Sequence, residues 1–344
     1  MKEGGEIMFH FTLVPFEFTN HADMGGPLVQ ANLQAKWLTE WCPPDLVIAF
    51  APVKNDVPFH HSLKTKLVSS HEPADWKHYF NDNIWPGSDP GRCSFGPSLV
   101  LEKTGRIDTI AQHRIPLVTI SEYSKSQVLD GWDYDPRMIH VMPNMIDPMF
   151  KPGEKAQQFT VGWIGYDHPD RWVKGAEVIP YLAQQFPDIQ FEMVFATMPR
   201  YQHEWMPQPL PNVRIYTQVL HTQMPSIVQR WHVLASGSKH ETGGAHIAEA
   251  MACGVPVICA GVGALPDTAR GQVILENTQR WYKYPHEWTP ATLKMYAEAL
   301  QQLLRDKTWY ASKVQAALTR SADFHPRNIA DLWFQFMYQC RDAM

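Results

Sequence analysis

The chain has 344 residues, 44% of them apolar and 12% aromatic, enough for two cores in domains of roughly 150 residues each and too apolar for a disordered chain. A formal net charge of -5 and a pI near 6.3 argue against general nucleic-acid binding, which needs a basic stripe to displace counterions. Five cysteines (Cys42, Cys93, Cys253, Cys259, Cys340), odd in number and without a C-x-x-C pair, indicate neither a disulfide framework nor a zinc site.

The opening Met1-Lys-Glu-Gly-Gly-Glu lacks the cationic start and cleavage site of a signal peptide, and no run of 18 apolar residues occurs, so a cytoplasmic protein is expected. A β-prone run from Met8 to Phe18 leads through Gly25-Gly26-Pro27 into a helical pattern from Leu28 to Trp41, a strand, glycine turn and helix. Trp37 and Trp41 on that helix could meet a membrane, which leaves membrane association open, although a core role suits them better. Short continuous apolar runs at 45–50, 66–70, 116–120 and 138–142 read as strands of a parallel sheet covered on both faces. Between Asp75 and Gln112 the periodicity breaks down, and a long loop is expected. Its aromatics, Trp76, Tyr79, Trp85 and Phe95, either offer a stacking surface to an acceptor or anchor the loop to the core.

The polar stretch 150–158 carries Pro-Gly and reads as a linker. Beyond it a second alternating series begins, with strands at 159–165, 189–196, 212–218, 232–236 and 255–260 and helices at 174–186 and 244–253. Helices at 290–306, about 308–320 and from Pro326 onward close the chain. The predicted organisation is a Rossmann-like domain over 1–148, a linker over 149–158, a second Rossmann-like domain over 159–322, and a last helix over 323–344. Such α/β domains bind ligands at the carboxyl ends of their strands, and two of them would face a shared cleft.

Two carboxylates, Glu241 and Glu249, stand eight positions apart around Gly243-Gly244, just ahead of a helical run. A glycine pair at a helix start exposes backbone N–H groups at the positive end of the helix dipole, where a diphosphate can be held. Glu249, about a turn and a half inside the helix, can accept hydrogen bonds from ligand hydroxyls. No P-loop, zincin or nucleophile-elbow motif occurs.

The segment Glu241 to Ile258 resembles the E-x7-E segment of the retaining glycosyltransferases of family 4, whose usual aromatic is here Gly243. The likeness extends to Gly25-Gly26, to Ile120-Ser-Glu-Tyr-Ser124 before a helix, to Val141-Met-Pro-Asn-Met-Ile-Asp147, to Val161-Gly-Trp-Ile-Gly165 with Lys174-Gly175, to the glycine loop Gly261-Val-Gly263, and to the closing Phe324-His-Pro-Arg-Asn-Ile-Ala330. It implies the GT-B fold, two doubly wound α/β domains facing a cleft, with the last helix crossing back to the first domain. It also implies transfer of a sugar from a nucleotide diphosphate-sugar, a co-substrate in place of any cofactor and bound by the second domain, to an acceptor hydroxyl on a glycan, lipid-linked or small-molecule partner that enters on the side of the first domain.

By position, Glu249 would hold the donor ribose and Glu241 the donor sugar. Arg171 and Lys174 would meet the diphosphate, Arg171 standing in for the family arginine whose place Tyr166 takes. Gly25, Gly26, Gly243, Gly244 and Gly263 would line the phosphates. His71, in Ser69-Ser-His-Glu-Pro73, matches the family histidine near the transferred sugar, and His246 would reach the phosphates or sugar unless it only packs. No D-x-D stands where a donor metal would be held, so no metal is expected. Two rivals share these features: a sugar-nucleotide epimerase or phosphorylase on the same scaffold, and a catalytically silent nucleotide-sugar-binding partner protein.

Overall fold

The computed structural model describes residues 8–14, 26–50, 66–67, 74, 76–80, 93–96, 114–165, 173–195, 206, 208–275 and 288–344. The chain divides into two compact units, one of Met1–Asn20, Gly26–Met145 and Pro326–Met344, the other of His21–Gly25 and Ile146–His325.

The first unit carries strands β1 (Phe9–Val14), β2 (Leu46–Phe50), β3 (Lys66–Leu67), β4 (Trp76–Phe80), β5 (Cys93–Gly96), β6 (Leu117–Thr119) and β7 (Ile139–Val141). They lie parallel in the order β3-β2-β1-β4-β5-β6-β7, so the winding reverses between β1 and β4. Helix α1 (Gly26–Glu40) and helix α2 (Glu122–Gly131) follow β1 and β6. Ser121 caps α2 by accepting from the Ser124 backbone N–H at 3.1 Å.

The segment from Asp75 to Gln112, expected as a loop, holds two strands of this sheet, β4 and β5, which pair from Lys77–Cys93 to Phe80–Gly96. Trp, Tyr and Phe favour strands as readily as they anchor loops. The many prolines and glycines beyond Phe80 obscured two short strands whose neighbours complete them. Trp76 and Tyr79 therefore stand on β4, beside the winding reversal, and not on a loop.

In the second unit β8 (Thr160–Gly165), β9 (Gln190–Phe195), β10 (Val213–Thr217), β11 (Val233–Ser236), β12 (Val257–Ala260) and β13 (Val273–Leu275) form a second parallel sheet, ordered β10-β9-β8-β11-β12-β13. Every residue of β11 and β12 is buried, as a sheet covered on both faces requires. The covering helices are α3 (Val178–Gln185), α4 (Met224–Val228), α5 (Ala245–Ala252), α6 (Leu265–Thr268), α7 (Pro290–Arg305) and α8 (Lys307–Ser321). Trp163, Trp231, Phe191 and Phe195 are almost wholly buried in this core, each stabilising it by ~2 kcal/mol or more through area removed from water.

Asp306 ends α7 and begins α8: its backbone N–H closes on Gln302, and its carboxylate accepts from the Trp309 N–H at 2.8 Å. One acidic residue thus turns the chain without a glycine. Helix α9 (Pro326–Asp342) belongs to the first unit, where Trp333, Phe334, Phe336 and Met337 pack with Leu33 and Leu38 of α1 and with Phe9 and Ile48 of the sheet. Among the described residues no helix is long and apolar enough to cross a membrane.

Candidate functional site

Ligands of a doubly wound sheet bind beyond the carboxyl ends of its strands, where the winding reverses. In the second unit that place lies between β8 and β11, next to the segments 173–177 and 237–244. The two segments cross in direct backbone contact. A Cβ at Gly175 would stand 1.9 Å from the Gly237 carbonyl oxygen, and one at Gly237 would stand 2.1 Å from that of Gly175. Only glycines fit there. The Lys239 backbone N–H donates to Val173 O at 2.7 Å, and Trp163 Nε1 donates to Lys174 O at 3.1 Å, which fixes the crossing further.

This crossing sets Lys174 against Glu241. Lys174 Nζ lies 2.5 Å from Glu241 Oε1, and Ser238 Oγ donates to the same oxygen at 2.8 Å. Burial alone would raise the Glu241 carboxyl, but the adjacent Lys174 ammonium outweighs it and holds the group down to about 2. Glu241 is thus ionised at any physiological pH. Behind it, Lys239 is wholly buried and pairs with Glu177, whose carboxylate also accepts from the Trp288 backbone N–H at 3.2 Å.

The second glycine loop supports Glu241 from the other side. Gly263 has φ +54, and a Cβ there would stand 2.1 Å from the Glu241 carbonyl oxygen, to which Ala264 N–H donates at 2.9 Å. Thr268 Oγ1, on α6, donates to Gly243 O at 2.9 Å. From Gly244, in the left-handed conformation, the chain enters α5. His246, on the first turn of α5, is within 3.2 Å of Ser236 Oγ through Nε2, and burial pushes its imidazole down to about 4, so it is neutral.

Glu249 is 9% exposed, and its Oε1 lies 2.9 Å from His221 Nε2. His221 opens the turn 221–223 that follows β10. Its burial would lower the imidazole pKa, yet the hydrogen bond and charge of Glu249, with Asp147 beyond, raise it above the usual histidine value.

Of the residues singled out in the sequence, Lys174, Glu241, Gly243, Gly244, His246, Glu249 and Gly263 are brought together around these loops and α5. Gly26 begins α1, and Trp76 and Tyr79 lie on β4. Gly25, His71, Trp85, Tyr166 and Arg171 lie outside the described residues. Ser238 and His221 were not anticipated. Ser238 sits three positions before Glu241, and His221 follows a strand legible in the sequence, so position at a strand's carboxyl end was the available signal. Among the described residues, no group of three His, Cys, Asp or Glu side chains is placed to hold a metal ion.

An ammonium and a glycine-led helix start can hold an anion, while two buried carboxylates can accept from hydroxyls. Two all-parallel doubly wound units, one of them bearing this site, are the GT-B fold, shared with glycosyltransferases among the solved structures. More particularly, residues 159–306 match the family model of the glycosyl transferases group 1, so the second unit carries a domain of that family. No curated protein sequence matches the chain significantly.

Among solved structures, the chain is similar to a sucrose-phosphate synthase from Thermosynechococcus elongatus, with 15% identity, TM-score 0.70, 98% of this chain and 100% of the other covered. It is likewise similar to Anabaena HepE solved with UDP-glucose, with 13% identity, TM-score 0.68 and coverage of 98% and 100%. A third is WaaG, a glycosyltransferase involved in lipopolysaccharide biosynthesis, with 15% identity, TM-score 0.63 and coverage of 94% and 99%.

Proposed function

We propose that the protein is a glycosyltransferase that moves a sugar from a nucleotide diphosphate-sugar to an acceptor hydroxyl, with retention at the anomeric carbon and without a metal ion. The observation that carries the reading is the Lys174–Glu241 pair beside the winding reversal, next to the glycine-led start of α5. Lys174 and the first turn of α5 receive the diphosphate. Its charge grows as the bond from the anomeric carbon to the phosphate oxygen breaks, and fixed positive groups there lower the barrier. Glu241, ionised and held by Ser238, accepts from hydroxyls of the transferred sugar. Glu249 accepts from the ribose hydroxyls. The acceptor oxygen bonds to the anomeric carbon on the face the phosphate leaves, and its proton passes to the departing phosphate oxygen. His71, Arg171 and Gly25 complete the proposed set, with Trp76, Tyr79 and Trp85 assigned to the acceptor side.

The likeness to HepE, whose structure contains UDP-glucose, supports a nucleotide-sugar donor. The test is to incubate the full chain with a panel of nucleotide sugars, with and without glycan, lipid-linked and small-molecule acceptors, following free nucleoside diphosphate and the product by NMR. Acceptor-dependent release and a product that keeps the donor's anomeric configuration are expected, unchanged by EDTA. An inverted product sinks retention, loss with EDTA restored by a divalent cation sinks metal independence, and a panel in which no nucleotide sugar raises the melting temperature sinks the donor class.

A further inference from the structure

Glu249 has one contact that the E-x7-E pattern does not contain. Its Oε1 is taken by His221, a residue from a different element, at 2.9 Å, with the two side chains 12% and 21% exposed. Its other oxygen, Oε2, has no hydrogen-bond partner among the described residues. His221 is itself held. Leu220 N–H donates to Gln223 Oε1 at 3.1 Å and Gln223 N–H to Leu220 O at 2.8 Å, closing the turn, while the Phe150 ring lies 5.3 Å from the imidazole. A glutamate has three rotatable side-chain bonds, so a carboxylate meant to meet two neighbouring hydroxyls loses freedom on binding unless something fixes it beforehand.

We propose that His221 is a positioning residue for the nucleoside part of the donor: it fixes the Glu249 carboxylate through Oε1, so that Oε2 accepts from the ribose diol. This rests on the assignment of Glu249 to the ribose. The groups that face His221 with charge are Glu249 on α5 and Asp147, which precedes Phe150. Both are acidic. Protonated His221 carries a proton on Nε2, and a carboxylate neighbour favours the neutral tautomer that keeps it there. The hold on Glu249 therefore survives titration of the imidazole.

Calorimetric titration of the full chain with UDP, ADP and GDP, and with their 2′,3′-dideoxy counterparts, tests this through the ratio of the two affinities. For the best-bound base, the wild type should prefer the ribonucleotide by about 10–100-fold, the range of hydrogen bonds to a charged acceptor. Glu249→Ala should erase the preference. His221→Phe, which keeps a ring against Phe150 but cannot donate, should cut it by roughly tenfold while leaving the dideoxy affinity unchanged. His221→Gln, whose amide donates from a similar reach, should restore it, and the wild-type preference should be the same at pH 6 and pH 8. If His221→Phe keeps the wild-type ratio, or weakens both nucleotides equally, the positioning role is refuted while the ribose assignment stands. If Glu249→Ala keeps the ratio, or if none of the three nucleotides binds, the ribose assignment itself falls and the proposal with it.

Discussion

Replacing Glu241 by glutamine isolates the charge at the centre of the site, because the amide keeps the shape of the carboxylate and can still accept from Ser238. A carboxyl held at about 2 in the folded chain, against its ordinary 4.5, contributes about 3 kcal/mol of stability at neutral pH. The sign follows from the depressed value. The contribution is fully present above 4.5 and is lost as the pH falls towards 2. Some of it returns in the variant through the retained hydrogen bonds, so Glu241→Gln should cost about 2–3 kcal/mol at pH 7. In a unit of this size each kcal/mol moves the melting point by about 2–4 °C, which puts the second unit's transition roughly 5–10 °C lower. Scanning calorimetry of the full chain should show the gap between wild type and variant narrowing by about 2–4 °C between pH 7 and pH 3.5, since about 1 kcal/mol of the linkage is lost over that range. A variant that melts with the wild type at pH 7, or a gap that is constant with pH, would refute the reading of Glu241 as a buried, Lys174-stabilised carboxylate.

Three further outcomes are expected. Gly237→Ala drives a methyl to 2.1 Å from the Gly175 carbonyl oxygen, where both neighbours are backbone, and should destabilise the second unit by about 2 kcal/mol or more in thermal melts while abolishing donor binding. His221 has a raised pKa, so its charged pairing with Glu249 stabilises below the unfolded value of 6.5 and is lost as the pH rises through the folded one. The stability advantage of wild type over His221→Gln should therefore shrink from pH 6 to pH 8.5, as read by chemical denaturation. Asp306→Ala removes the cap of α8, and the transition of the second unit should weaken by ~1 kcal/mol without change in nucleotide affinity, as followed by circular dichroism and calorimetric titration.

Much of the second unit is legible in the sequence because its strands are short apolar runs fully buried in a parallel sheet, a signal that survives without neighbours. The first unit is harder to read between Asp75 and Gln112. There β4 and β5 take their order from β1 and β6 on either side, and Trp76-Lys-His-Tyr-Phe80 alone fits a loop anchor as well as a strand. At the candidate site, the Glu241 to Ile258 segment pointed to both glutamates and the glycine pair, since its spacing reflects one loop and one helix. His221 escaped that reading: its meeting with Glu249 joins residues 28 apart in the chain, and only tertiary packing brings them within reach. The same holds for Gly175 and Gly237, which look like ordinary turn residues until the two backbones are seen to touch.

The membership of α9 in the first unit has a consequence for how the chain is made. Ile329, Trp333, Phe336 and Met337 fill a core whose other half, Phe9, Leu33, Leu38 and Ile48, lies at the opposite end of the sequence. During synthesis that core waits, with an apolar face uncovered, until residues 326–342 leave the ribosome. The second unit, drawn almost wholly from 146–325, has its residues in hand earlier. Of the two units, the one that begins first is therefore completed second, and its uncovered helix and sheet are the part most open to aggregation in the interval.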